Sequence, residues 1–85
     1  MDARYVTHCR TCVELDGSRS VHVVEHGPSF GFDWHMEYRV RRAYAGHVNV
    51  EVVRLAPDYT PFPSYIGTIA DLPPVVRVQV EGLPR

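Results

Sequence analysis

The sequence contains no lysine, so its nine basic residues are all arginine, and ten acidic residues bring the formal net charge to −1. A balance this close to zero creates no global field toward nucleic acid or a membrane surface, so any binding has to be local. No apolar run approaches the roughly 20 residues that cross a bilayer, and residues 1–12 lack the apolar centre of a secretory signal. These absences predict a cytoplasmic chain, or one held within an assembled particle, that makes no membrane contact. Internal repeats and low-complexity tracts are missing. So are the glycine-rich phosphate loop, the H-E-x-x-H pair and the serine elbow, which leaves no motif for phosphoryl transfer, metalloproteolysis or ester hydrolysis.

Cysteine is scarce as well, with two in 85 residues, and both stand in one C-x2-C pair, Cys9 and Cys12. In a reducing compartment that spacing suits metal ligation or a redox couple better than a structural disulfide. His22 and His26 follow as H-x3-H. A short strand from Arg4, a turn at Cys9 to Cys12 and then Val13-Glu14-Leu15 is similar to the local pattern of a zinc knuckle, in which two thiolates of one tight turn address the same ion. Val13 stands where such a knuckle usually has glycine.

Asp16-Gly17 is a hairpin signal, because both residues tolerate positive φ. A loop of residues 16–19 would set Cys9 opposite His26 and Val13 opposite His22. A turn of Asp16-Gly17 alone would set Cys9 opposite Val24 and Thr11 opposite His22. Either register brings the histidines toward the cysteines, so Cys9, Cys12, His22 and His26 are expected to hold a structural zinc in a clasp hairpin over residues 1–27. The set differs from a DNA-reading finger, whose H-x3-H lies on a helix after a longer spacer, whereas Ser20 to His26 is β-branched. A disulfide or redox pair and plain packing are the competing readings, with His35 and His47 as substitute ligands.

Beyond the Gly27-Pro28-Ser29 break the pattern becomes regular. Trp34, Met36, Tyr38 and Val40 alternate with His35, Glu37, Arg39 and Arg41, and Val48, Val50 and Val52 alternate with Asn49 and Glu51, as two half-buried strands of one hairpin over 32–55. An odd register shift would turn one apolar set to water. A Tyr44-Ala45-Gly46 loop with Gly46 left-handed avoids this and pairs Val40 with Val50, Tyr38 with Val52 and Arg39 with Glu51. Pro57, Pro61 and Pro63 then make 56–65 a semi-extended arm, whose Tyr59, Phe62 and Tyr65 either fold back as a lid over an open sheet face, as a small domain short of buried aromatics favours, or stay exposed as a docking segment. Ile66 to Leu72 reads equally as a short strand or a helical turn, and the alternation of Val76, Val78 and Val80 predicts a final strand over 75–81.

The expected fold is therefore all-β: one small domain, an antiparallel sheet or partly open barrel built from hairpins, with a proline-rich connection. A core this thin gains from a metal or a partner. Cys9 or Cys12 with His22 or His26, and Asp33, His35 and Glu37 on one strand, are the nearest approach to a catalytic set, and no motif stands behind them. The expected function is non-enzymatic. The chain reads as an interaction or assembly module, such as an accessory subunit, a virion component or a small regulator. It would bind another protein or copies of itself through Arg39, Arg41 and Arg42 and through Tyr59, Phe62 and Tyr65. The alternatives are nucleic-acid binding by the arginine and tyrosine face of the central hairpin, and thiol redox sensing by the cysteine pair.

Overall fold

The computed structural model describes residues 4–29, 32–56 and 64–84. Two left-handed glycines organise its hairpins. Gly17 (φ 86°) and Gly46 (φ 73°) each occupy a conformation that a side chain would strain. In the first loop the Glu14 amide donates to the Ser18 carbonyl (2.7 Å) and the Gly17 amide to the Glu14 carbonyl (3.0 Å). That is a type I turn closed by a glycine bulge, which joins β1 (Tyr5–Val13) to β2 (Arg19–Ser29). In the second, the Ala43 amide donates to His47 across Tyr44-Ala45-Gly46 (3.1 Å), joining β3 (Phe32–Arg42) to β4 (His47–Ala56).

The five strands form one antiparallel sheet in chain order, with the short β5 (Tyr65–Thr68) on the far edge from β1. The all-β antiparallel expectation holds, and the central hairpin has the expected register: Tyr38 faces Val52, Arg39 faces Glu51 and Val40 faces Val50. A bulge between Glu37 and Tyr38 then lets Val53 stand out of the ladder.

The final segment is different. Residues 75–81 do not form a strand; Pro74–Glu81 is an α-helix, α1. Val76, Val78 and Val80 fit a period of two, but Val76, Val80 and Leu83 also fit the i, i+4, i+7 stripe of a helix, and those are the three that are buried. Pro74 sits in the first helical turn, where its missing amide costs nothing and its fixed φ is already helical. Val78 is 70% exposed. Between β5 and α1, a 3-10 turn at Ile69–Asp71 follows the strand, so the ambiguous stretch from Ile66 to Leu72 is part strand and part helical turn.

Helix α1 lies on one face of the sheet. There Val21, Val23, Tyr38, Val40, Val48, Val50 and Val52 close over Val76, Val80 and Leu83 as the core. Valines suit this layer because a β-branched side chain fills the pleat of a strand with little rotamer freedom to lose. Thr11 ties strand to helix by donating to Gln79 Oε1 (2.9 Å). Among the described residues, no helix is long and apolar enough to cross a membrane.

Candidate functional site

With α1 on one side, the alternation of the strands assigns every other side chain to the opposite face, which among the described residues no helix or strand covers and which is the uncovered face in that sense. The register builds that face from cross-strand rungs: Tyr5–His26–His35, His8–Val24–Glu37–Arg54 and Arg10–His22–Arg39–Glu51. Four of the five histidines, His8, His22, His26 and His35, belong to these rungs. The His26 ring stacks on Tyr5 with centroids 5.3 Å apart and leans on His35 at 5.6 Å, and His8 meets His22 edge-on at 6.1 Å. His26 Nε2 also lies 3.0 Å from Thr7 Oγ1, a residue thrown out by the β1 bulge.

The charges of this face answer one another. Arg39 lies between Glu14 (3.6 Å) and Glu51 (3.7 Å), Arg41 reaches Glu14 (3.7 Å), and His22 reaches Glu37 (3.6 Å). Such spacings are ion pairs on a half-wet surface and contribute little stability individually. The Ser20 hydroxyl donates to Glu14 Oε1 at 2.5 Å, and this bond, assisted by Arg39 and Arg41, holds the Glu14 carboxyl below its ordinary range. Asp16 is lowered in the same way by the Ser18 hydroxyl and amide.

The expected clasp residues do not converge. Neither predicted register forms: Cys9 faces Val23, Arg10 faces His22 and Tyr5 faces His26. Cys9 and Cys12 are three apart within a ladder that continues unbroken from His8 to Val13, so they leave opposite faces of β1. Cys9 turns to the helix side, where its sulfur lies 3.9 Å from the Val75 carbonyl and burial raises its thiol pKa. Cys12 shares the uncovered face with His22 and His26. Both thiols are free, and among the described residues no group of three or more His, Cys, Asp or Glu side chains is arranged to hold a metal. Residues 9–12 do not form the expected turn; strand β1 runs straight through them.

The expected partner residues separate too. Arg39 and Arg41 lie on the uncovered face. Arg42 is one residue further and so points to the helix side, where Nε donates to the Leu83 carbonyl (3.2 Å) and Nη2 to the Glu81 carbonyl (2.9 Å). It caps the C-terminal end of α1, satisfying carbonyls left without helical partners. Tyr65 lies on edge strand β5 opposite Val50 and is half exposed, while Tyr59 and Phe62 fall outside the described residues.

One cluster contains none of the expected site residues. Glu25, 1% exposed, points to the helix side among valines. Its Oε1 accepts from the Tyr38 hydroxyl (2.9 Å) and its Oε2 from Arg4 Nε (2.6 Å), with Arg4 Nη2 also at 2.5 Å. Burial, with the Glu25 carboxylate adding to it, pushes the Tyr38 phenol far above its ordinary range. The available signal was positional: Glu25 continues the inward alternation of Val21 and Val23, so a charge was due to be buried there. No protein family, curated protein or solved structure matches the chain.

Proposed function

We propose that this chain is a non-catalytic interaction module that binds another protein, or further copies of itself, through the uncovered face of its sheet. The supporting observation is the rung pattern of that face, where arginine, glutamate, histidine and tyrosine side chains stand on paired strands opposite helix α1. A fixed mixture of both charge signs with aromatic rings suits recognition of a protein surface, because charge complementarity selects and orients a partner. A polyphosphate chain would instead have to compete with Glu14 and Glu51 for Arg39 and Arg41, so the protein reading is preferred to the nucleic-acid one. The His22–Glu37 pair, the nearest approach to an acid-base couple on this face, stands on an open sheet where water is not excluded.

The test is site-specific photocrosslinking in the native host. A photoreactive residue replaces Val24, in the middle of the face, or Val78, on the outer side of α1. The expected outcome is a discrete protein adduct from position 24 and none from position 78, with an adduct of twice the chain mass identifying a second copy. Nuclease-sensitive adducts from position 24 would transfer the reading to nucleic acid. Adducts from neither position would overturn it.

A further inference from the structure

On the helix side, beyond the N-terminal end of α1, the described residues leave the sheet partly open, and a cleft of about 530 Å³ lies there. Val6, Leu72, Pro73 and Val75 give it apolar walls, Arg4, Tyr5 and Asp71 also line it, and Glu25, 1% exposed, lies at its floor. A volume of this order suits a small ligand or one long side chain.

The floor is a buried negative charge, and a buried carboxylate requires a partner. That partner is Arg4, which lies just before the first residue of β1 and so outside the strand ladder. Among the described residues its guanidinium bonds to Glu25 alone, and its side chain remains 53% exposed. Glu25 is fixed by contrast: it lies within β2, and Tyr38 holds its other oxygen from the core. The cleft thus pairs an immobilised carboxylate with a cation supplied by a single half-exposed side chain from outside the sheet. With Arg4 in place the Glu25 pair is neutral, and Asp71 leaves the lining net negative.

We infer that this cleft is a guanidinium-binding site, occupied in the free chain by Arg4, and that it accepts in Arg4's place a ligand carrying a guanidinium on a short aliphatic stem. A planar guanidinium is favoured over an ammonium because it presents several N–H donors in a fixed fork, as Arg4 does with two of its nitrogens on one carboxylate oxygen. The proline and valine walls would take the methylenes of the stem, as long cationic side chains are taken along apolar surfaces. The ligand is either a free small molecule or an arginine side chain of another polypeptide. The acidic floor and apolar walls lie on the helix side of the sheet, only Tyr5 being shared with the proposed partner face, and the inference does not rest on that proposal.

The test titrates agmatine, and separately a capped Gly-Arg-Gly peptide, into the full-length wild type and its Arg4→Ala variant, with amide shifts of Val6, Leu72 and Val75 as the readout. Because Arg4 competes as a tethered ligand, removing it is expected to tighten agmatine binding by about tenfold. Butylamine is expected to bind more weakly than butylguanidine, which differs from it only in the cationic head, and Glu25→Gln in the Arg4→Ala background is expected to abolish the response. Agmatine binding without peptide binding assigns a free small cation, and binding of both assigns the arginine side chain as the recognised group. If Arg4→Ala does not fold, saturable agmatine shifts at the same three amides of the wild type decide the matter. Absence of saturable shifts, or an undiminished response in Glu25→Gln, would overturn the site.

Discussion

Cys9 and Cys12 project from opposite faces of β1, the first toward the Val75 carbonyl of α1 and the second beside Ser20 on the uncovered face. Residues three apart in a regular strand always divide in this way, so one ion or one disulfide cannot join them without breaking the ladder.

The thiols are therefore predicted to act separately. Mild oxidation should yield no intramolecular Cys9–Cys12 bond, and mass spectrometry of the folded monomer should show both thiols. Cys9 should be modified slowly until denaturant is added, since burial raises its pKa and so lowers its thiolate population. An equivalent of zinc should not protect the pair together. Joint protection that a chelator reverses would show that β1 rearranges around a metal.

Gly27 lies beneath the indole of Trp34, its cross-strand neighbour, and a Cβ there would fall 2.7 Å from Cζ2 and 3.0 Å from Cε2. Gly27→Ala should push the ring aside and cost about 1–3 kcal/mol, the usual penalty of overpacking. Trp34 is the only tryptophan, so its emission should shift in the same variant. Unchanged emission with unchanged urea midpoint would refute the contact.

Tyr38→Phe removes the hydroxyl that Glu25 Oε1 accepts from and leaves that oxygen buried without a donor. The expected loss is about 1–3 kcal/mol, read as a lower urea midpoint at constant slope. The raised Tyr38 pKa also fixes a sign with pH: its stabilising contribution is complete below the unfolded phenol value near about pH 10 and is lost as pH rises above it. Tyr38→Phe should therefore be the less alkali-sensitive protein.

Glu14 responds in the opposite direction. Its lowered pKa, caused first by the Ser20 hydroxyl, means that its contribution is present above the unfolded carboxyl value near about pH 4.3 and is lost as pH falls through the folded one. Wild type and Glu14→Gln should differ in urea midpoint at pH 7 by a modest amount, as surface ion pairs do, and converge on acidification. A constant difference down to pH 2 would remove Glu14 as the cause.

Legibility in the sequence followed the range of the interaction. The central hairpin was readable because period-two alternation from Trp34 to Val52 and one glycine in a short loop leave a single register that keeps both apolar sets on one side. The register of the first hairpin was not legible because an Asp-Gly turn is compatible with several loop lengths, and the loop that forms, Leu15-Asp16-Gly17, shifts every pair from those expected. Val76 and Val80 satisfied both periodicities, so local pattern could not separate strand from helix.

The sequence by itself determined that this is one small valine-rich antiparallel sheet with a glycine-closed central hairpin, since alternation and turn chemistry act between near neighbours. Only the tertiary structure decided what those strands face. Placing α1 on one side divided Cys9 from Cys12 and Arg41 from Arg42, put four histidines on the open face, and brought Arg4, Glu25 and Tyr38 together. Which face is inside depends on contacts between residues far apart in the chain, such as Thr11 with Gln79 and Arg42 with Leu83, and no local pattern records those.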